Sequence, residues 1–546
     1  MFVIFLVALI VGSFFWWMIS IYNFVTVAQP SSGGKYVEAF VGQPRYINPL
    51  LSHSSSSDKS LSELIFDGLF DYDENGVLIG QIAERFEKSD DLREYTIFLK
   101  DNVFWHDGVK VTSDDVLFTA NIVSNIEYGA AGVSNEMRLL WSDVQVEKID
   151  DRTIKFKLKE GDSDFLHNLT MGLLPKHVWE DISPDKFQLS EYNQKPIGSG
   201  PYEFVDFDID VDNETITAYI LRSNKEYYIK EPFITKFVAN FYPTRAEAVE
   251  AYIDGSVSAV VVDNQEHVSR LETLAQNKEM ELPHYFAVFL NQTKSVPLAF
   301  DEVREALSMA TNRDQIVQTI FEDHANTRHS PFAEGVVGFD EENQQEKFNI
   351  EAANKLLDDK GWKMGDDGFR VKGDDKLKFV LHVGNNHEQI KKVAQELKNQ
   401  WKEIGVDVSV QEHEKGDLNS NIIKPRDYDA LLYAHQMRFE PSLNPLWHGD
   451  EKSDPGMNYA LFDDDEMNTT LNDFRMIKDE NDKNESYKKQ QIRLKEENPA
   501  IFLFSPKLSF MHSEVVKGMN TQRVNASYDR YSDIINWFVK EKRVRK

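Results

Sequence analysis

The stretch that decides the fold runs from Leu377 to Val410 and reads LKFVLHVGNNHEQIKKVAQELKNQWKEIGVDVSV. Apolar and polar residues alternate over Leu377–Val383 and again over Val406–Val410, which is the period of a β-strand. Between these strands, apolar residues recur three or four positions apart and predict one buried helix face. They are Ile390, Val393, Ala394, Leu397, Trp401 and Ile404. Gly405 suits the end of a helix. A crossover of this length joins parallel strands with a right-handed connection, so the stretch predicts a βαβ unit.

An earlier part of the chain follows the same logic. Phe237–Phe241 is strand-like, and Thr244 with Glu247 forms the pattern of a capping box at a helix start. The helix is predicted to reach Gly255, and a second strand is predicted over Val257–Val262. The sequence therefore predicts two separate α/β cores, one near 200–290 and one near 370–440.

Other segments complete the outline. Tyr428–Ala434 is predicted to be a third strand of the later core, and Asp301–Phe321 to be helical with a break at Thr311. Residues 61–195 have a different pattern, with a strand at Tyr95–Leu99 and a hairpin over Val144–Leu158, and they predict an α+β insert. Ligands of open α/β sheets bind at the carboxyl ends of strands, so two such cores facing each other favour a hinged, two-lobed binder.

Composition excludes several classes of protein. The 546 residues carry 61 Lys and Arg against 91 Asp and Glu, a formal charge of −30. Nucleic-acid binders need a basic face, so we expect no nucleic-acid partner. The chain has no cysteine, which excludes disulfides, Cys-ligated zinc, iron–sulfur clusters and thiol nucleophiles.

The first 28 residues differ from the rest. No charged residue occurs over Phe2–Ala28, and Phe2–Ile21 is long enough to cross a bilayer as a helix. A cleaved signal peptide is the alternative, but the basic n-region is missing and Thr26–Ala28 is a poor cleavage site. We expect an uncleaved N-terminal membrane anchor, with residues 29–35 as a linker to the exported part.

Catalytic and metal-binding motifs were tested and rejected. The sequence contains no P-loop and no H-E-x-x-H pattern, and Gly198-Ser199-Gly200 lacks the spacing of a nucleophile elbow. Asp71–Gly76 copies the first half of an EF-hand loop, but Ile82 stands where the bidentate Glu belongs. We therefore expect no enzyme activity, no catalytic residue, no metal site and no cofactor.

A series of short motifs resembles the family 5 extracellular solute-binding proteins of ABC importers, the dipeptide/oligopeptide-binding type. Each motif is weak alone, but they occur in the family's order over roughly residues 37–540. They include Asn48–Leu50, Leu64–Asp71, Ile82–Glu87, Tyr95–Lys100, Trp105–Gly108, Thr112–Val116, Pro196–Tyr202, Leu221–Tyr228, Phe300–Ile320 and Ala353–Trp362.

The resemblance implies a class II periplasmic-binding-protein-like fold with an additional inserted domain. It suggests that residues 36–60, 196–290 and 511–546 form lobe I, that 61–195 form the inserted α+β domain, and that 291–510 form lobe II. Residues 1–28 would be the membrane anchor or signal segment.

The implied function is capture of an oligopeptide in the cleft between the lobes and delivery to an ABC permease and its ATPases. We expect a monomer in the periplasm or at the extracytoplasmic face of the cell membrane, anchored by the N-terminal helix.

The resemblance also implies a region for ligand binding. Family members often meet the peptide ammonium with an aspartate after the strand that matches Tyr428–Ala434, and this chain lacks that aspartate. Gln436 and Glu440 are the nearby candidates, and Arg438 could grip a carboxylate. The full set of predicted ligand-binding residues is Arg45, Tyr46, Tyr433, His435, Gln436, Arg438, Glu440, Asn444 and Trp447.

Two other hypotheses remain open. The same fold could bind a non-peptide solute such as an oligosaccharide, a metal chelate or haem, which the missing aspartate motivates. The chain could also be a membrane-tethered sensor that feeds no importer, which the predicted anchor motivates.

Overall fold

The computed structural model of the chain describes residues 12–13, 16–18, 21–262, 264–334, 336–438 and 442–545. Within those ranges no helix combines the length and the apolar composition needed to cross a bilayer. Most of the predicted anchor Phe2–Ile21 lies outside the described residues.

Strands are labelled in chain order: β1 (Thr26–Pro30), β2 (Lys35–Val41), β3 (Phe70–Tyr72), β4 (Leu78–Gly80), β5 (Ala83–Lys88), β6 (Glu94–Leu99), β7 (Val144–Asp150), β8 (Thr153–Leu158), β9 (Tyr202–Asp210), β10 (Thr215–Ser223), β11 (Lys236–Tyr242), β12 (Ala259–Val262), β13 (Gln276–Glu281), β14 (Tyr285–Leu290), β15 (Ala325–Thr327), β16 (Lys363–Met364), β17 (Arg370–Lys372), β18 (Asp375–Lys376), β19 (Lys378–Gly384), β20 (Asp407–His413), β21 (Ala430–His435), β22 (Ala500–His512) and β23 (Glu541–Arg545).

The α-helices span Ser56–Ile65, Ser113–Ser124, Ile126–Ala130, Asn135–Trp141, Lys176–Trp179, Pro184–Phe187, Arg245–Ile253, Gln265–Leu271, Asp301–Met309, Arg313–Ile320, Ile350–Asp359, Glu388–Lys402, Lys415–Asp417, Asn444–Trp447, Asp465–Phe474 and Glu480–Glu497.

The long strand β22 belongs to two half-sheets. Sheet I runs β22-β12-β2-β11-β10-β9, and sheet II runs β20-β19-β21-β14-β22. β13 also pairs with the second half of β22, on the edge opposite β12, and β15 pairs with residues 504–506, on the edge opposite β14. The two sheets are therefore one hydrogen-bonded surface that is continuous only through β22.

The predicted βαβ unit of sheet II is confirmed. β19 and β20 pair in parallel, β19 and β21 also pair in parallel, and the helix Glu388–Lys402 connects the first two. Gly405 has φ of 78°, the left-handed conformation that a side chain disfavours. Trp401 is completely buried and donates its indole N–H to Thr311 Oγ1 at 3.0 Å, which fixes the helix against its neighbours.

The predicted βαβ unit of sheet I is also confirmed. β11 and β12 both pair in parallel with β2, and the helix Arg245–Ile253 connects them. Thr244 caps that helix by accepting a hydrogen bond from the Glu247 N–H at 3.2 Å. The predicted break near Thr311 is confirmed too, because separate helices span Asp301–Met309 and Arg313–Ile320.

Sheet II is covered on both faces. Alternate residues of β14 enter different hydrophobic clusters: Val288 and Leu290 pack in one, whereas Tyr285, Ala287 and Phe289 pack in the other. This alternation is the two-residue period of a strand that is buried on both sides.

Residues 61–195 contain a separate antiparallel sheet in the order β5-β6-β8-β7, including the predicted hairpin. Gly198 holds this region to the helix Ser56–Ile65, because a Cβ at Gly198 would lie 1.8 Å from the carbonyl oxygen of Ile65. Ser199 Oγ accepts a hydrogen bond from the Asp67 N–H at 3.3 Å. The Gly-Ser-Gly turn therefore packs tightly against its neighbours.

The chain changes sheets at residues 282–284, between β13 and β14. β22 makes the matching change between Phe504, which pairs with β14, and Lys507, which pairs with β13. The predicted lobe boundaries at 290/291 and 510/511 lie a few residues further along both strands. The sequence does not mark the change, since β14 and β22 are largely apolar throughout.

A buried ion pair ties the C-terminal segment to sheet I. Glu38 is completely buried in β2, and its carboxylate accepts hydrogen bonds from Arg530 at 2.6 Å, from Tyr36 at 2.7 Å and from Tyr531 at 2.9 Å. The Arg530 guanidinium also donates to Ser60 Oγ at 3.2 Å. The Glu38–Arg530 pair thus connects β2, the helix Ser56–Ile65 and the C-terminal segment.

We predict that Glu38→Gln lowers the free energy of unfolding by about 3–5 kcal/mol, because the Arg530 guanidinium would remain buried without its counter-charge. Chemical denaturation measures the change. Glu250→Gln is the matched control, since Glu250 pairs with Arg270 at the surface and an exposed pair contributes about 0–1 kcal/mol. Equal effects of the two substitutions would contradict the prediction.

Candidate functional site

Strand β21 and the short helix Asn444–Trp447 bring several predicted site residues together. His435 ends β21, and its ring centroid lies 4.5 Å from that of Phe289 and 6.0 Å from that of Trp447. Trp447 is completely buried and also packs against Phe502. The predicted residues His435 and Trp447 therefore contribute to an aromatic cluster in the core of sheet II.

Both ring nitrogens of His435 have partners inside the protein. Nδ1 lies 2.7 Å from the Tyr285 hydroxyl and Nε2 lies 3.1 Å from the Met457 carbonyl oxygen. Nε2 therefore carries the proton and donates to the carbonyl, while Nδ1 accepts from the hydroxyl. Burial lowers the pKa of His435 to about 3, so the ring is neutral at pH 7.

The remaining residues of this region lie further out. Tyr433 is half-buried and packs edge-on against Tyr459, and burial raises the pKa of its hydroxyl. Gln436 is exposed, while Arg438 and Asn444 are half-buried. These four residues are therefore more exposed than His435 and Trp447.

Arg438 lies close to an acid of the inserted α+β region. Burial raises the pKa of Asp162, and the Asp164 carboxylate raises it further. The guanidinium groups of Arg475 and Arg438 act in the opposite direction. Arg438 is thus within electrostatic range of Asp162, but the two side chains form no ion pair within 4.0 Å.

Glu440, with residues 439 and 441, lies outside the described residues. Arg45 and Tyr46 lie before the helix Ser56–Ile65, where their backbone N–H groups donate to the Asp58 carboxylate at 2.9 and 3.0 Å. Within the described ranges, no hydrogen bond, ion pair or ring contact joins these two residues to residues 433–438.

Residues 160–164 of the inserted region contact residues 475–483 directly. The Ser163 N–H donates to the Arg475 carbonyl at 2.8 Å, and the Arg475 guanidinium pairs with Glu160 at 3.1 Å. Lys483 pairs with Asp164 at 3.3 Å, with both side chains only 13% exposed. These contacts connect the inserted region to the segment 475–483.

A cavity of about 530 Å³ lies where β13, β15 and β22 meet. Its lining includes Glu281 at the end of β13, Lys507 in β22, and Arg328 and His329 just after β15. None of the eight predicted ligand-binding residues that the structure describes is part of this lining. Sequence reasoning missed Arg328, because a single arginine in a short loop carries no periodic or motif signal.

The described residues contain no group of three or more His, Asp or Glu side chains that could hold a metal ion. Aromatic rings, hydrogen-bonding groups and charged side chains are present at the two regions. No nucleophile aligned with a base was found among the motifs that the sequence offered.

The chain matches known proteins along most of its length. The family described as "Bacterial extracellular solute-binding proteins, family 5 Middle" matches residues 77–456. The oligopeptide-binding protein AppA of Bacillus subtilis is 25% identical over 505 residues, which cover 90% of each chain. Heme-binding protein A of Haemophilus influenzae is 22% identical, with 87% of this chain and 88% of that protein covered.

Solved structures share the fold. AppA from B. subtilis in complex with a nonapeptide superposes with a TM-score of 0.73 at 23% identity, covering 94% of this chain and 100% of that one. NikZ from Campylobacter jejuni in complex with Ni(L-His) superposes with a TM-score of 0.73 at 23% identity, covering 92% and 99%. These likenesses establish the architecture.

The low pKa of His435 predicts how stability depends on pH. Above about pH 6.5 the imidazole is neutral in both the folded and the unfolded chain, so it makes no contribution. Below that pH the His435 imidazole is protonated in the unfolded chain but stays neutral in the folded chain until about pH 3. The free energy of unfolding therefore falls.

At about pH 5 the loss due to His435 amounts to about 2 kcal/mol. We expect His435→Gln to remove that part of the difference in stability between pH 7 and pH 5, as measured by denaturant unfolding at both values. His387→Gln, at an exposed position, is the control and should change nothing. An unchanged pH dependence in His435→Gln would show that the residue does not titrate in this way.

Proposed function

The chain belongs to the bacterial extracellular solute-binding proteins of family 5, and we propose that it captures oligopeptides outside the cytoplasm and delivers them to the permease and ATPases of an ABC importer. Proteins of this family serve transport by binding a solute, and they are not enzymes. The observation that carries the proposal is the match to AppA, which covers 90% of both chains and is described as oligopeptide-binding.

The fold suits capture by closure. Sheet I and sheet II are continuous only through β22, so bending at residues 282–284 and near Ser505–Lys507 would move one sheet relative to the other. Hinges of this kind are a few residues between otherwise rigid elements. We place the joint there, slightly before the boundaries that the sequence predicts, and retain the predicted lobes otherwise.

We assign the region after β21 to the peptide. Gln436 is exposed and Arg438 and Asn444 are half-buried, whereas His435 and Trp447 are buried in the core behind them. An extended peptide can hydrogen-bond through its backbone to the segment after β21, while its side chains enter permissive pockets. Arg438 would pair with an acidic side chain of the peptide.

A non-peptide solute is the second candidate. Relatives with the same fold include a protein named for haem and one solved with Ni(L-His). The aspartate expected for a peptide ammonium is also missing after β21. A chelate or haem would use the same closure, with different contacts in the cleft. A sensor that feeds no importer would share the binding step and differ only in its partner.

We predict that short peptides change the fluorescence of the nine tryptophans and give a calorimetric binding signal. Arg438→Gln should weaken the binding of peptides with an acidic side chain tenfold or more, since a hydrogen bond to a charged group contributes about 1.5–3 kcal/mol. Arg270→Gln, in an exposed pair on the sheet I side, is the control and should bind normally.

The peptides are tested beside haem and the nickel–histidine complex. If no peptide of the panel binds, the proposal of peptide capture is contradicted. Binding of either chelate in the same assay would then favour the second candidate. Normal peptide binding by Arg438→Gln would instead keep the function and remove that residue from the site.

We also propose that the N-terminal stretch tethers the protein to the membrane. Its support is the absence of charge over Phe2–Ala28. Expressed in a bacterial host, the full chain should sediment with membranes and resist extraction by salt, whereas a chain starting at Gln29 with a cleavable export signal should be released. Recovery of the full chain as a released protein lacking its first residues would indicate a cleaved signal peptide instead.

A further inference from the structure

Arg328 is a buried cation without a partner. Only 6% of the residue is exposed, and its Nε is buried with no hydrogen-bond acceptor. Among the described residues, no side-chain hydrogen bond and no ion pair of Arg328 is formed. The side chain nevertheless lines the 530 Å³ cavity between β13, β15 and β22.

Other buried arginines of this chain are satisfied. Arg313, which is 2% exposed, donates to the Phe502 carbonyl at 2.6 Å, to Ser308 Oγ at 3.0 Å and to Gln345 Oε1 at 3.0 Å. Arg370, also 2% exposed, pairs with Asp358 at 2.7 Å. A buried guanidinium without such partners lowers stability. Contacts within the folded chain therefore do not explain why Arg328 is buried.

The nearby carboxylates do not supply that partner. Burial lowers the pKa of Arg328 to about 10, and the negative charges of Glu281 and Glu334 only partly oppose the shift. Both acids line the cavity, but neither forms an ion pair with Arg328 within 4.0 Å. The guanidinium and the two acids thus line one cavity without forming an ion pair.

A second polar group in the lining also lacks a partner. His329 Nδ1 is buried without a hydrogen-bond partner, and burial lowers the pKa of the ring to about 4, so the ring is neutral at pH 7. Lys507, by contrast, is 3.5 Å from the Glu279 carboxylate and is already engaged. Among the described lining residues, the buried side-chain nitrogens without a partner are therefore those of Arg328 and His329.

We propose that the Arg328 cavity binds the carboxylate of a small zwitterionic solute, either a free amino acid or the C-terminal end of a short peptide. The planar guanidinium can donate two parallel hydrogen bonds to a carboxylate, and His329 can add a third contact. Glu281 and Glu334 then face the ammonium or another cationic group of the solute. The volume lies within the range of cavities that enclose small ligands.

This proposal rests on the proposed function, because it assigns the carboxylate end of the captured solute. It places that end at the joint between the sheets, where Glu281 comes from β13 and Arg328 follows β15. A solute held there would contact both sides of the joint, so its binding would depend on the angle between them.

Peptides with free and amidated C-termini provide the test. A library of random tri- to pentapeptides, synthesised in both forms, is incubated with the full chain, and the retained peptides are identified by native mass spectrometry. We expect the free acids to be enriched at least tenfold over the amides, and the enrichment to disappear in Arg328→Gln. Arg270→Gln should behave like the unchanged protein. Equal retention of both forms, unaffected by Arg328→Gln, would overturn the proposal while leaving peptide capture intact.

If no peptide is retained, the result counts against peptide capture, and a second experiment then tests the carboxylate site at Arg328. The same variants are then tested for thermal stabilisation by the twenty free amino acids and by their amides. Stabilisation by at least one free acid that is lost in the amide and in Arg328→Gln would support the carboxylate site. No such difference would overturn it.

Stability without solute separates a ligand-binding role from a structural one. Arg313→Gln removes a guanidinium that is fully hydrogen-bonded and should lower the unfolding midpoint. Arg328→Gln removes an unpaired buried charge, so the midpoint should stay unchanged or rise, and circular dichroism should confirm the fold. A fall in Arg328→Gln as large as that in Arg313→Gln would assign Arg328 to packing and overturn the proposal.

Discussion

The pairing of β22 on both sides of the molecule is the constraint on which the rest of the structure depends. Its first half pairs with β14 and its second half with β12 and β13, so a single strand of 13 residues is shared by two sheets. Because every backbone group buried in a sheet needs a partner, β22 cannot leave either sheet without breaking a ladder of hydrogen bonds. The sheets therefore stay connected, while the angle between them can change without breaking these hydrogen bonds.

Buried arginines beside these two sheets are generally paired with a carboxylate or hydrogen-bonded to the backbone. Arg530 is paired with Glu38 beside sheet I, and Arg313 is bonded to the backbone of β22 at Phe502. Such groups hold loops and helices to the sheets at fixed positions. Arg328 departs from the pattern and does so beside the point where β22 passes from one sheet to the other. In the proposal, a solute carboxylate supplies the partner that the Arg328 guanidinium lacks. Binding would then act directly on the joint between the sheets.

The sequence predicted local elements well and long-range placement less well. The βαβ unit over Leu377–Val410 was predictable because strand and helix periods are local and Gly405 marks the helix end. The sheet change at 282–284 was not, since the apolar run of β14 is uninterrupted and the change depends on pairing with β22, which lies far along the chain at Ala500–His512. His435 was predicted as a site residue from a resemblance, but its partners Tyr285 and Met457 are distant in sequence and hold it in the core.

The central claim is that the two sheets move together around a captured solute. The absence of cysteine allows spin labels to be attached specifically to Ala246→Cys on the sheet I side and Asn399→Cys on the sheet II side, both exposed helix positions. Electron–electron double resonance then measures the distance between the labels with and without a saturating peptide that calorimetry has identified. The account predicts a shorter and narrower distance distribution when the peptide is bound. The same distribution in both states would contradict it.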